Sequence, residues 1–352
     1  MAKIISGIQQ IGIGIPDVHQ AWHWYRQHFG IDIPIFEEAA VAKLMVPYTG
    51  GKPQARHALL AINLQGGGGF EIWQFKDRVP VKPAFDLHLG DYGLLAARIK
   101  CRDVPAAYQA FASKGLDVVA PPAPDPAGGG HFFVRDPYGN LFQVVAGHCW
   151  FKNEGGLTGG LAGAMIGVSD VARSRSLYSD ILGYDELVYD QTAVFPDLAG
   201  LAGGSQPVRR VLLRHSQPRQ GGFSRLLGPS EIELIQLTGG SARRIYENRY
   251  WGDLGFIHLC YDIIGMEELE KECQAAGFPF TINSSHTFDM GEAAGHFAYI
   301  EDPDGTLIEF VETHKIPILK KIGWYLDLRK RKPESPLPDW LLKALRFNRV
   351  LP

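Results

Sequence analysis

The sequence predicts an α+β protein built from four copies of one unit, each a strand, a helix and three further strands. Three observations predict it. Apolar runs end in an Asp placed to open a helix, a Gly recurs where each helix must stop, and two Asp-Pro-x-Gly turns lead into alternating strands.

Taken in order, Ile15-Pro16-Asp17-Val18 opens the first helix, which ends at Phe29-Gly30-Ile31-Asp32. An Asp carboxylate accepts N–H groups of a first turn, and Gly takes up the left-handed conformation that closes a helix. Cys101-Arg102-Asp103-Val104 and Lys114-Gly115-Leu116 repeat the pattern more weakly. Val168-Ser169-Asp170-Val171 opens a third helix through Leu177-Tyr178 to Leu182-Gly183-Tyr184-Asp185. A fourth runs from Asp262-Ile263-Ile264-Gly265 to Ala276-Gly277-Phe278. The last strands of the second and fourth units share a signature: Arg135-Asp136-Pro137-Tyr138-Gly139-Asn140-Leu141-Phe142-Gln143 matches Glu301-Asp302-Pro303-Asp304-Gly305-Thr306-Leu307-Ile308-Glu309. The units span roughly 1–80, 88–150, 158–240 and 250–314. The first and third are the longer ones, so the deeper repeat is a pair of pairs: residues 1–150, then 151–314, with a tail over 315–352.

At 352 residues with 45% hydrophobic and 21% charged side chains, the chain is a folded protein of more than one domain. No apolar run reaches the ~20 residues of a membrane helix, and the N-terminus lacks the apolar length of a signal peptide. Cys101, Cys149, Cys260 and Cys273 form no C-x-x-C pair, which argues against a disulfide scaffold or a thiolate zinc site. A cytoplasmic protein with reduced thiols is expected. From Lys315 onward ten Lys/Arg face three Asp/Glu, a net of +7, which leaves −10 on the preceding 314 residues. The tail also carries Trp324, Tyr325, Trp340, Leu341, Leu342, Leu345 and Phe347. It is expected to pack across the acidic body rather than bind nucleic acid or membrane.

Four units in this order, two of them closing on DPxGxxxE-like strands, resemble the vicinal oxygen chelate superfamily: glyoxalase I, extradiol dioxygenases and bleomycin-resistance proteins. The resemblance covers residues 1–314. It implies that the βαβββ modules pair into two half-open β cups and that a catalytic cup holds a divalent metal. It also implies ligand positions on the first and last strand of each module: Gln10 and Glu71, Ala96 and Gln143, Gly163 and Glu233, His258 and Glu309. Strand periodicity adds its own argument. His258 alternates with Phe256 and Cys260, Glu309 with Leu307 and Val311, and Glu71 with Trp73 and Phe75. Charged groups on apolar faces are costly unless they are paired, protonated or bound to metal.

If modules one and four share a cup, Gln10, Glu71, His258 and Glu309 form a set similar to the zinc-type ligands of glyoxalase I. The other cup, with Ala96, Gln143, Gly163 and Glu233, then cannot bind metal. If modules three and four pair, as in extradiol dioxygenases, the set is Glu233, His258 and Glu309, with Gly163 where those enzymes have His. The first arrangement fills every position and is preferred. One imidazole among oxygen donors suits Zn²⁺, Ni²⁺, Co²⁺, Mn²⁺ or Fe²⁺. The implied chemistry is that of a lyase or isomerase which stabilises an enediolate beside a carbonyl, with Glu309, or else Glu71, as general base. The alternatives are an Fe²⁺ dioxygenase and a metal-free protein that binds a small ligand. A small-molecule substrate is expected in either enzyme, and a monomer or a homodimer.

Other candidates have simpler readings. His19 and His23 lie one turn apart on a solvated helix face, and Gly66 to Gly69 reads as a hairpin turn. His131 and His296 lie at a cup mouth or in turns. Arg209, Arg210, Arg214, Arg219 and Arg225 form a loop-rich surface patch or an anion grip.

Overall fold

The computed structural model describes residues 3–284, 295–319 and 324–351. Module one comprises β1 (Ile4–Gly14), α1 (Val18–Phe29), β2 (Ile33–Val41), β3 (Ala55–Ile62) and β4 (Gly69–Phe75). Module two has β5 (Gly93–Cys101), α2 (Val104–Ser113), β6 (Asp117–Val118), β7 (Ala123–Pro124), β8 (Gly130–Arg135) and β9 (Leu141–Ala146). Module three has β10 (Thr158–Gly167), α3 (Val171–Tyr178), β11 (Glu186–Ala193), β12 (Val208–Arg214), the short α4 (Ser224–Leu227) and β13 (Glu231–Leu237). Module four has β14 (Gly255–Ile264), α5 (Met266–Ala275), β15 (Ile282–Asn283), β16 (Gly295–Glu301) and β17 (Leu307–Thr313). The tail adds β18 (Lys315–Leu319), β19 (Trp324–Asp327) and α6 (Asp339–Lys343).

The helix boundaries follow the local chemistry. Asp17 accepts the Gln20 N–H, Asp103 that of Ala106, and Asp170 those of Ala172 and Arg173. Gly30, Gly115, Gly183 and Gly277 all have positive φ at or just beyond the helix ends. The fourth helix departs from the pattern. Its N-cap is Gly265, and Asp262 stays inside β14 as a buried carboxyl. The second module departs too, because Pro121, Pro122, Pro124 and Pro126 reduce its second strand to the two-residue pieces β6 and β7.

The strands form two sheets. The first runs β15-β16-β17-β14-β1-β4-β3-β2 and the second β11-β12-β13-β10-β5-β9-β8-β6, with β7 on β8. Modules one and four therefore share a sheet through antiparallel β1 and β14, and modules two and three through antiparallel β5 and β10. Each sheet takes one module from residues 1–150 and one from 151–314.

Period-two alternation gives each sheet two apolar faces. One face of both sheets packs with the helices in a shared core that includes Ile11, Tyr25, Phe29, Phe111, Leu177 and Phe310. The opposite faces line the cups: Trp73, Trp251, Cys260, Tyr299 and Val311 in the first, Ala96, Phe133, Met165, Phe195 and Ile235 in the second. Between the sheets, the Gly66–Gly69 run lies against Gly160 and Leu161. Gly68 and Leu161 exchange N–H···O bonds of 2.9 and 2.8 Å, and a Cβ on Gly67 would come within 2.6 Å of the Gly160 carbonyl carbon. The run connects β3 to β4 and doubles as the seam between sheets, where only glycine lets two backbones come so close.

The Asp-Pro-x-Gly turns are built alike. Asp136 Oδ1 accepts the N–H groups of Tyr138 and Asn140, and Asp302 Oδ1 those of Asp304 and Thr306, with Gly139 and Gly305 at φ 88° and 89°. A tyrosine from the preceding module's helix closes each one: Tyr25 donates to Asp136 (2.6 Å) and Tyr178 to Asp302 (3.0 Å).

The tail packs on the body as charge and pattern predict. Leu337 and Leu342 are buried with Ile33, Ile62, Leu64 and Leu226, and Arg349 pairs with Asp32 (2.9 Å) and Glu154. Trp340 and Phe347 remain exposed. No helix among the described residues is long and apolar enough to cross a membrane.

Candidate metal centre

The first cup brings Gln10, Glu71, His258 and Glu309 together from four adjacent strands. Parallel pairing sets Glu71 beside Gly12 on β1 and Glu309 beside Cys260 on β14, while β1 and β14 align Gln10 with Cys260 and Gly12 with His258. Gly12 is what admits the imidazole, since a Cβ there would lie 2.4 Å from His258 Cε1. His258 is fully buried, Gln10 and Glu309 are buried, and the Glu71 side chain is partly so.

The contacts converge on His258, where charges meet without aligned hydrogen bonds. His258 Nε2 lies 3.2 Å from Glu71 Oε2 and 3.1 Å from Glu309 Oε2, yet neither ring nitrogen has an aligned hydrogen-bond partner. Glu309 Oε2 and Gln10 Oε1 are likewise buried without an aligned hydrogen bond. The Gln10 amide nitrogen donates to Glu71 Oε2 at 3.3 Å. Donors held about 2.1 Å from one ion stand roughly 3.0–3.4 Å apart, so these separations suit a shared cation. The donor set, one imidazole with carboxylates and a neutral amide oxygen, also fits a hard or borderline divalent ion.

Electrostatics point the same way. Burial by itself lowers the pKa of His258, but the charges of Glu309 and Glu71 outweigh it and hold the imidazole up at about 9. Burial works to raise Glu309, and His258 beside it brings the carboxyl below its ordinary value. Burial and the same two carboxylates push the Tyr299 hydroxyl well above its usual range. The walls are aromatic. The Tyr299 ring meets the His258 ring edge-on at 5.5 Å, and Trp251 lies parallel to it at 6.3 Å.

One expected face assignment is corrected. A β-bulge between Gly12 and Ile13 leaves Ile257 without an opposite residue, so Ile257, not Phe256, joins His258 and Cys260 on the cup face. Phe256 turns into the shared core.

The second cup is closed. Ala96 supplies a methyl group, and Gly163, at φ +149°, has no room for a side chain because a Cβ would meet the Glu231 carbonyl oxygen at 1.9 Å. Glu233 is fully buried and accepts from Arg98 Nη1 (2.8 Å), Arg210 Nε (2.7 Å) and the Tyr189 hydroxyl (2.7 Å). Gln143 Oε1 accepts from Arg98 at 3.0 Å, and Arg210 Nη1 reaches Asp197 at 2.6 Å, which also meets His131 Nε2 at 2.9 Å. Burial opposes the Glu233 charge, but Arg210 and Arg98 overcome it and keep the carboxyl below its ordinary pKa. Glu233 is thus in a different sheet from His258 and Glu309, and the three-residue set Glu233, His258 and Glu309 does not assemble.

The remaining candidates disperse. Arg210 belongs to that buried network on a strand, whereas Arg209 pairs with Asp190, Arg214 with Glu186 and Arg225 with Asp339, and Arg219 donates to the Leu182 carbonyl. No common arginine patch forms. His296 pairs with Asn283 at 2.6 Å. His23 faces Arg26 and does not chelate with His19. Sequence reasoning missed Arg98, although a lone arginine between Ala96 and Lys100 in an apolar strand is itself a signal. It also missed Tyr299, which shares the period-two face of Phe297.

A family model described as the Glyoxalase/Bleomycin resistance protein/Dioxygenase superfamily matches residues 7–144 and 160–310. Among solved structures, glyoxalase I from Zea mays is similar at a TM-score of 0.51 and 16% identity, over 88% of this chain and 92% of that one. A protein from Bacillus subtilis described as a candidate dioxygenase is similar at 0.56 and 13%, over 88% and 86%. At these identities the likeness concerns the fold. No curated protein matches the chain in sequence.

Proposed function

Because the chain belongs to the glyoxalase/bleomycin resistance protein/dioxygenase superfamily, we propose that it is a divalent-metal-dependent enzyme of the lyase or isomerase type, acting at a carbon beside a carbonyl. The observation that carries this reading is the convergence of Gln10, Glu71, His258 and Glu309 on one point, with four polar atoms left unpartnered. These four residues would hold the ion, drawn from Zn²⁺, Ni²⁺, Co²⁺, Mn²⁺ and Fe²⁺, and when bound it would supply Lewis-acid polarisation of a carbonyl and a charge to offset an enediolate.

Glu309 is the base in this reading. Its Oε2 is buried, makes no aligned hydrogen bond and has the His258 imidazole beside it at 3.1 Å, so on leaving the ion it can take the proton from the carbon acid and return it to the neighbouring carbon. Glu71 keeps a second negative charge in the cup and accepts from the Gln10 amide, which fixes the orientation of both side chains. Trp73, Trp251 and Tyr299 exclude water and lower the local dielectric.

Metal content by plasma mass spectrometry on wild type, Glu71→Ala and Glu233→Ala tests the proposal. The expected result is that Glu71→Ala holds close to one equivalent less than wild type and Glu233→Ala as much as wild type. A protein that takes up no ion in the cup after exposure to Zn²⁺, Ni²⁺, Mn²⁺ and Fe²⁺ is a metal-free binder of small ligands, and the enzyme reading falls.

A further inference from the structure

The outer surface of module one gathers another set of metal-type donors. His19 sits in the first turn of α1, Glu37 on β2 and His57 on β3. In the β2–β3 register Ala39 opposes His57 and Glu37 opposes Leu59, so Glu37 and His57 are diagonal neighbours on one face. That face continues inward as Leu59 and Ala61 beneath α1, and the three polar residues stand where the apolar cover ends. The Val18 N–H donates to Gln74 Oε1, and Gln74 is the β4 partner of His57, so the start of α1 is pinned over this spot.

The geometry is again convergent. His57 Nε2 lies 2.9 Å and His19 Nε2 3.4 Å from the same oxygen, Glu37 Oε1. The rings stand edge to face with centroids 5.3 Å apart, and one donor atom from each residue falls within 4.8 Å of the others. Two imidazoles aimed at one carboxylate oxygen do more than a single ion pair needs. The neighbouring charges on the same hairpin, Glu38 and Arg56, pair with one another at 2.7 Å.

We propose that His19, Glu37 and His57 form a second divalent-cation site, separate from the cup, that takes a borderline transition ion of the zinc class. Two imidazoles and one carboxylate are a donor set for such ions, and the open side leaves a coordination position for water. Bound there, the ion ties the start of α1 to the β2–β3 hairpin. The α1 helix carries Tyr25, whose hydroxyl holds the Asp136 turn of module two, so the clip braces a contact between modules.

Zinc titration calorimetry on the full chain tests this, with Glu309→Gln to empty the cup. Wild type is expected to take two equivalents and Glu309→Gln one. Adding His57→Ala or His19→Ala to Glu309→Gln removes the remaining equivalent, whereas adding His23→Ala leaves it. In Glu309→Gln, zinc at a hundredfold excess over Kd raises Tm by about 3–4 °C, and the rise vanishes with His57→Ala. Zinc stoichiometry unchanged by both His19→Ala and His57→Ala, or lowered equally by His23→Ala, overturns the proposal. The cup reading fails separately, if Glu309→Gln binds as much zinc as wild type.

Discussion

The two cups come from the same repeat, pair their central strands in the same antiparallel way and present the same four strand positions. They resolve the charges at those positions in opposite ways. In the first, Gln10, Glu71, His258 and Glu309 face one another with polar atoms unpartnered. In the second, Arg98 and Arg210 insert two guanidinium groups and satisfy Glu233 from both sides. A carboxylate in a sheet interior needs a positive charge beside it: two guanidinium groups supply it in the second cup, and His258 stands between two carboxylates in the first, where we propose that an ion binds. The comparison teaches that module identity does not define a site. The residue two places along β5, Arg98, decides what Glu233 is for.

The largest expected effect separates the cups by chemistry. Glu309→Gln lowers turnover by about 10²–10⁴-fold, read as exchange of the carbon-bound proton next to a substrate carbonyl with solvent deuterium. Equal loss from Glu233→Gln would break the comparison. Next comes stability. Glu233→Ala removes the carboxylate that two buried guanidinium groups share, leaving Arg210 only the Asp197 carboxylate and Arg98 only that of Glu231, and costs about 3–5 kcal/mol in urea denaturation, with metal content unchanged.

A third test concerns pH. Asp262 lies in the first sheet only, where burial raises its carboxyl from 3.8 to about 7. Between those values the folded chain holds a proton that the unfolded chain has released. Its stabilising contribution is intact below about 4 and is lost as the pH climbs through 7. Asp262→Asn is expected to gain about 4 kcal/mol at pH 8 and close to nothing at pH 4 in urea titrations. An equal effect at both values would show that the carboxyl is not the cause. The smallest effect sharpens the contrast most. Replacing Arg98, Arg210, Glu233 and Asp197 together by Met, Met, Leu and Asn, so that no buried carboxylate loses its guanidinium, is expected to stay within about 1 kcal/mol of wild type, because a buried ion network and a well-packed apolar one are close in energy.

Much of this was legible because it is local or strictly periodic. Asp17, Asp103 and Asp170 cap helices through contacts two or three residues away, and alternation places Glu71 with Trp73 and Glu309 with Val311. The four cup positions are implied by the family resemblance, and alternation supports three of them, Glu71, His258 and Glu309. What escaped is non-local or breaks the period. The bulge at Ile257 reverses the facing of Phe256, and no residue type announces it. The Arg98–Glu233 contact joins positions 135 residues apart in sequence. The arginines from 209 to 214 read as a surface patch because the alternation of β12, which buries Arg210 and turns Arg209 to Asp190, passes through charged side chains on both faces.

The pairing of β1 with β14 also sets an order of assembly. During synthesis, β5, β10 and β13 are all available by about residue 237, and the arginine-filled cup can close then. β1 and β4 have already emerged, but their partner strand ends at Ile264 and Glu309 follows later still. Until then β1 stands as an open sheet edge, with unpaired backbone groups that another chain could capture. The cup with no metal positions would thus serve as the platform on which the nascent chain waits. A nascent chain of which residues up to 240–255 have emerged would hold it folded, with the first cup half built.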